Sequence, residues 1–199
     1  MNYNFLKSQL DKFTALVLLL FLFPFLIIIS ILVYLFIGNP ILFKQLRPGF
    51  KGLPFTIFKF RTMNNKKYKD GNLLPDNQRI TKFGSLLRSY SIDELPELLN
   101  IIKGEMSFVG PRPLRMEYLE SYSKREFKRH DVLPGLTGLA QINGRNILSW
   151  QEKFELDLTY VKKQSFILDL KILLLTIKIV LFRKGISPEG ENFMPFFKK

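Results

Sequence analysis

Asp93 and Glu94 stand side by side in the stretch SIDELPELLN, in a chain whose formal net charge is +13. An ionised aspartate is a competent nucleophile towards phosphorus and forms an aspartyl phosphate. An adjacent acid pair also offers oxygens to a magnesium ion that arrives already held by phosphates. Lys59, Arg88, Arg112 and Arg145 each fall in or beside a turn, strand or helix end around this segment. Arginine binds phosphate bidentately, and cations at a helix N-terminus keep an aspartate ionised. A structural alternative stands beside this one. Ser91 and Glu94 fit the S-x-x-E capping box, and acidic residues are common at helix starts. Pro96 favours a register in which Asp93 is the cap, because its missing N–H is then one that no helix uses. Any single Lys or Arg is more often a solvated surface charge; the set carries the information.

Composition narrows the chemistry. The chain has 199 residues, enough for one domain with a core and a small appendage. It has no Cys and one His, His130, which excludes disulfides, thiol catalysis and Cys- or His-rich metal sites. A metal here would be held by oxygen, which points to magnesium or manganese. His130, in an isolated charged context, reads as a structural or surface residue. Neither GxGxxG nor GxxxxGK[ST] occurs, which argues against a P-loop nucleotidase or a dinucleotide-binding fold. With 30 Lys and Arg against 17 Asp and Glu, the partners are polyanions. Twenty Phe and a slightly positive mean hydropathy fit a membrane-associated protein better than a nucleic-acid binder.

The elements that must position these residues follow from periodicity. No charge occurs between Lys12 and Lys44, and residues 15–37 are long and apolar enough to meet a bilayer. Pro24 interrupts them and predicts a kink. Two topologies are open: a single span, or a helix–break–helix that dips into one leaflet and returns. Lys7 and Lys12 before the stretch and Lys44, Arg47 and Lys51 after it give both ends a cytoplasmic character, which favours re-entry.

Residues 41–63 predict two β runs around a Pro/Gly-rich turn, with Phe55, Ile57, Lys59 and Arg61 on one face of the second run. Residues 64–78 predict an exposed loop, and Ile80, Phe83, Leu87 and Tyr90 recur at helical spacing. A helix is expected from about 91 to Lys103, stopping near Gly104. Residues 114–130 read as a charged helix, and Gly135, Gly138 and Gly144 as turn residues. Ser149 and Glu152 form a second capping box, for a helix to about Lys163 with Trp150, Phe154, Leu158 and Val161 on its apolar face. Residues 168–184 form a very apolar helix, either in the core or at a bilayer surface with Lys171 and Lys178 towards headgroups.

KFRTM, SIDELPELLNIIKGEMSFVGPRPL, RHDVLPGLTGLAQINGR and WQEKFELDLTYV, in that order, resemble successive signatures of the bacterial sugar transferases, the small monotopic phosphoglycosyl transferases. The likeness covers about residues 10–185. It implies a UDP-sugar donor, with UDP-N,N'-diacetylbacillosamine or a related N-acetylated amino sugar foremost. It further implies an undecaprenyl phosphate acceptor, Mg2+ and a place on the cytoplasmic face of a bacterial inner membrane. Asp93 would attack the β-phosphate and release UMP, and the acceptor would then take the phosphosugar from Asp93. Glu94 would assist with magnesium or positioning, so that both carboxylates are metal candidates. Lys59, Arg88, Arg112 and Arg145 would bind phosphate, and Asp157 would lend support. The reaction would open glycoconjugate or N-glycoprotein assembly, with downstream glycosyltransferases as partners. Close relatives often have Ser-Pro at the membrane break; here Phe23 precedes Pro24.

The expected fold is α+β and mainly helical. Residues 1–40 form the re-entrant membrane helix kinked at Pro24. Residues 41–185 form the catalytic domain, with a short β-hairpin and interfacial amphipathic helices, and 186–199 an irregular tail. The rival reading is a non-catalytic module that binds anionic lipid through its basic face.

Overall fold

A computed structural model describes residues 3–144, 147–182 and 197. The expected α+β, mainly helical architecture is what is found. Helix α1 (Tyr3–Phe36) leads into a hairpin of β1 (Leu42–Pro48) and β2 (Pro54–Phe60). Short helices α2 (Asp76–Arg79) and α3 (Lys82–Ser89) follow. A 3-10 segment (Ile92–Glu97) runs into α4 (Leu98–Lys103), then β3 (Ser107–Val109). The region after it holds α5 (Lys124–Phe127), β4 (Gly135–Thr137) and α6 (Leu139–Ile142), and the described part closes with α7 (Trp150–Lys163) and α8 (Phe166–Leu181).

Helix α1 touches the rest of the protein along one stripe. Ala15, Leu19 and Leu22 pack on Phe55, Ile57, Leu98, Ile101 and Met106. Leu26, Ile29 and Val33 pack with Phe60 and Leu87. Steps of three and four residues put these on one helix face. The other face is open: Leu20 is 67% and Phe21 80% exposed. Pro24 lies inside this one helical element rather than between two, and it has no N–H to give the Leu20 carbonyl. The N-terminal end is held by polar contacts. The Tyr3 hydroxyl donates to Asp169 at 2.7 Å, the Lys7 ammonium lies 2.6 Å from the same carboxylate, and the Ser107 hydroxyl donates to Asp11 at 2.6 Å.

The hairpin is antiparallel, with Lys59 opposite Phe43 and Ile57 opposite Gln45. Strand alternation sends Phe55 and Ile57 into the core and brings Lys59 to the same face at the strand's end. Burying Leu98 and Ile101 against this face stabilises each by roughly 1.5–3 kcal/mol.

Strands β3 and β4 pair in parallel, Ser107 with Gly135 and Val109 with Thr137. Gly135 and Gly138, expected as turn residues, instead allow close backbone approach. A Cβ on Gly135 would lie 2.0 Å from the Gly110 nitrogen, and one on Gly138 would lie 2.2 Å from the Gly110 carbonyl.

One further expectation changes, and one open alternative is decided. Residues 114–130 are not one helix but a 3-10 turn (Met116–Ser121), α5 and a second 3-10 turn (Lys128–Asp131). Charge density there implied a continuous solvated helix, whereas Tyr118, Arg129 and His130 are drawn inward and break it. Helix α8 is not a buried core helix. Asp169 and Ile172 face inward, but Ile167 is 79%, Leu174 60% and Leu181 70% exposed. The Ser149–Glu152 capping box on α7 is formed as expected. Most of the 186–199 tail lies outside the described residues.

Candidate active site

The acid pair is carried by the 3-10 segment ahead of α4. Ser91 takes a left-handed backbone (φ 55) and makes no side-chain cap, so the box with Glu94 is not formed and Asp93 does not cap α4. Pro96 explains the tighter turn. Helix α4 begins only at Leu98, so the proline's missing N–H lies ahead of the helical hydrogen bonds. Gly104, in the left-handed region at φ 79, ends α4 as expected.

Asn100 fixes this segment against the hairpin. It is fully buried, its amide nitrogen donates to the Thr56 carbonyl at 2.7 Å, and its oxygen accepts from the Phe58 amide at 3.2 Å. The 92–97 segment is thereby set beside the end of β2, where Lys59 stands.

There the charges converge. One oxygen of Glu94 lies 2.5 Å from the Lys59 ammonium and 2.5 Å from the Arg112 guanidinium. Lys59 is also 3.1 Å from Glu97. Burial alone would raise Glu94, but Arg112 and Lys59 hold its carboxyl far below the usual range. Asp93 behaves oppositely. Burial and then the Glu94 charge push its pKa up to about 6, against the pull of Lys59, Arg88 and Arg112. Asp93 is 8% exposed, and among the described residues no side chain hydrogen-bonds its carboxylate. Glu97 is pushed to about 7, chiefly by burial, although Lys59 pulls it down. Contact with Glu94 raises Arg112, which therefore stays charged.

The other predicted residues fall at different distances from this centre. The Arg88 Nε donates to the Thr62 hydroxyl at 2.9 Å, and its charge acts on Asp93. Asp157 is not an exposed helix charge. It is 3% exposed and accepts two hydrogen bonds from Arg129, at 3.0 and 2.7 Å. A terminal nitrogen of Arg129 also donates to the Arg112 carbonyl at 2.7 Å. Asp157 thus supports the Pro111–Arg112–Pro113 turn from behind. A small cleft lies there, lined by Pro48, Pro111, Arg112, Pro113, Arg129 and His130 among others. His130 is buried, with Nδ1 3.1 Å from the Gly49 carbonyl and a pKa lowered to about 4 mainly by burial, which fits a structural residue. Arg145 lies outside the described residues.

Glu97 and Arg129 were not singled out from the sequence. Glu97 had a signal: it lies four residues after Asp93 and three after Glu94, so one helical face holds all three acids. Arg129 had none, because its partner Asp157 is 28 residues away.

The arrangement offers a buried carboxylate free of hydrogen bonds, a second one kept ionised, and a half-exposed arginine. Such a set has the residue types for a nucleophile beside a phosphate-binding cation. Among the described residues no group of three His, Cys, Asp or Glu side chains gathers as metal ligands. Asp93 and Glu94 alone fit a cation such as magnesium that keeps phosphate and water oxygens, and not a fully protein-held ion.

Residues 2–183 match the family model described as bacterial sugar transferase. The chain belongs to the bacterial sugar transferase family. This sugar transferase is 55% identical over 181 residues to a Bacillus subtilis protein described as the uncharacterized sugar transferase EpsL, covering 90% of each chain. It is 38% identical over 197 residues to the exopolysaccharide production protein ExoY of Sinorhizobium fredii, covering 90% of this chain and 87% of that one. It is also 36% identical over 189 residues to a UDP-glucose:undecaprenyl-phosphate glucose-1-phosphate transferase of Xanthomonas campestris. There it spans 89% of its own length and 39% of the longer relative. Among the described residues the transferase carries one helix, α1, long and apolar enough to cross a membrane, and only 11% of its most apolar window is buried. That exposed helix and the family place the protein at a membrane.

Proposed function

We propose that this protein transfers a phosphosugar from a UDP-sugar to undecaprenyl phosphate and releases UMP. The observation that carries the reading is Asp93: buried, without a side-chain hydrogen bond among the described residues, and beside a Glu94–Arg112 pair. A carboxylate so placed is desolvated and reactive once ionised.

In the first step an Asp93 oxygen attacks the β-phosphorus. An O–P bond forms, the bond from that phosphorus to the bridging oxygen breaks, and UMP leaves with that oxygen. In the second step an oxygen of the acceptor phosphate attacks the same phosphorus and Asp93 leaves as a carboxylate. The product is a polyprenyl diphosphosugar. Arg112, 43% exposed, can turn from Glu94 to a donor phosphate. Arg88 keeps positive charge near Asp93, and Lys59 balances Glu94. Arg145, beside the Asn143-Gly144 turn signal of the sequence, is assigned to phosphate on its residue type. Magnesium, held by Asp93 and Glu94 together with donor phosphates, would supply charge neutralisation at the diphosphate.

The relatives' names support a UDP-hexose donor, and the motif likeness supports an N-acetylated amino sugar such as UDP-N,N'-diacetylbacillosamine. Purified protein with undecaprenyl phosphate and magnesium, offered UDP-glucose, UDP-galactose and the bacillosamine donor in parallel, ranks them by UMP release. Release by wild type and its loss in Asp93→Asn is the expected result. No release from any donor tried, or full activity in the variant, overturns the reading. Trapping of a phosphosugar on the Asp93 peptide by mass spectrometry tests the covalent step separately.

We assign α1 a re-entrant course at the cytoplasmic face of the inner membrane. Tyr3 and Lys7 at one end and Ile29 and Val33 towards the other contact the same globular body, which supports a helix held on one side of the bilayer over one that carries its two ends to opposite sides. Substituted-cysteine labelling at residues 2 and 39 in intact cells checks this: a site labelled from outside excludes it.

A further inference from the structure

Lys59 has one ammonium and two carboxylates, Glu94 at 2.5 Å and Glu97 at 3.1 Å. The transferase reading gives Glu94 work elsewhere, as a carboxylate that would help hold the donor's magnesium once Arg112 turns to a phosphate. The two cations on Glu94 differ in their freedom to respond. The Arg112 side chain is 43% exposed and can swing; that of Lys59 is 18% exposed and sits between two carboxylates at the end of β2. An ammonium held away from water is destabilised when it loses its counter-ion. If Glu94 were its sole partner, Lys59 would hold Glu94 back or follow it.

Glu97 supplies the second partner. It is 2% exposed and stands at the junction of the 3-10 segment with α4. Its Oε1 near Lys59 has no well-aligned hydrogen bond, so this oxygen has unused capacity. The charges facing Glu97 from other elements are Lys59 on β2, Arg47 on β1 and Arg112 after β3, with Glu94 on its own segment. Only Lys59 among these cations is within ion-pair distance of it.

We propose that Glu97 is a positioning residue that retains Lys59 beside Asp93 when Glu94 is released to the bound donor. The proposal rests on the transferase reading above. It gives Glu97 an effect exerted only after donor binding, and only through Lys59.

Two substitutions separate charge from packing. Glu97→Gln keeps the size and removes the charge; Glu97→Asp keeps the charge and removes a methylene. UMP release is measured for both, and for Glu97→Gln in a Lys59→Met background. Glu97→Asp is expected to be the more active of the two. Glu97→Gln should lower kcat about tenfold while the donor KM moves less than about threefold, the pattern of an interaction made after binding. In the Lys59→Met background, Glu97→Gln should cost less than about twofold, because residues acting as a pair are non-additive. A Gln variant as active as the Asp variant, or an equal loss in both backgrounds, overturns the proposal. Should Glu97→Gln alone fail to fold, the doubly neutral K59M/E97Q, which strands no charge, is compared with Lys59→Met: equal rates support the proposal and a further tenfold loss ends it. Wild type that releases no UMP strikes the transferase reading itself; an active wild type with the wrong ordering strikes only the role of Glu97.

Discussion

Two buried acid–base clusters meet at Arg112 and are built by different rules. On its side-chain face, Asp93, Glu94 and Glu97 gather around Lys59 and the Arg112 guanidinium. On its backbone face, Asp157 and Arg129 form a closed pair, each almost wholly buried, with the Arg129 fork turned to the Arg112 carbonyl. The closed pair satisfies its charges and leaves nothing to react. The open cluster leaves Asp93 without a side-chain hydrogen bond among the described residues, and Lys59 shared. A fold that needs a reactive carboxylate keeps it under-satisfied and places the fully paired cluster behind it as support.

The sharpest break in this comparison comes from neutralising each aspartate. Asp93→Asn should lower UMP release by about 10³-fold or more, as removal of a nucleophile does. It should not destabilise the fold. A carboxyl whose folded pKa is raised contributes stability that is present below its unfolded value and lost as pH rises through about 6. At pH 7.5 the neutral variant should therefore match or exceed wild type in thermal unfolding; a clearly lower Tm contradicts the under-satisfied description. Arg112→Met comes next, with a loss of about 10²-fold in rate, since one charge-stabilising donor is removed. Retention of near-full activity would show that Arg112 only balances Glu94. Asp157→Asn belongs to the other cluster. It strands Arg129 and should cost about 3–5 kcal/mol in urea unfolding, with the rate loss following from a loosened Arg112 turn.

A smaller effect concerns pH. If Asp93 must be ionised, kcat/KM should fall about tenfold per unit below its pKa near 6. Arg88→Met should move that limb to higher pH, because the Arg88 charge pulls the Asp93 value down. A limb that stays in place separates Arg88 from the nucleophile. The smallest effect lies away from both clusters, on exposed α8. Lys171→Gln with Lys178→Gln should weaken flotation with anionic vesicles by about 1 kcal/mol per charge and leave binding to neutral vesicles unchanged. No change on anionic vesicles would remove α8 from the bilayer-facing surface.

Much of this was legible from short-range patterns. The hairpin followed from alternation, the end of α4 from Gly104, and the start of α7 from Ser149 and Glu152. The failures have physical causes. The Ser91–Glu94 pattern looked like a cap, but Pro96 imposed a 3-10 turn and the two cations took Glu94 away from the backbone. The 114–130 stretch looked solvated because burial cannot be read from charge density when the partner, as for Arg129, lies far along the chain. The engagement of Lys59 by two carboxylates, which leaves its expected part in phosphate binding open, became visible only when β2 met the 92–97 segment.

The sequence by itself determined which chemistry was available: an adjacent acid pair, oxygen-only metal ligands, arginines for phosphate, and an apolar helix for a membrane. Those properties belong to residue types and to neighbours within a turn of helix or a step of strand. Tertiary structure alone decided which charge met which. Lys59 and Glu94 are 35 residues apart, and Arg129 and Asp157 are 28 apart. Reactivity depends on such meetings, because a carboxylate's pKa is set by its desolvation and by the charges within a few ångströms. Asp93 and Glu94 are neighbours in the chain, yet packing drives one up and the other down.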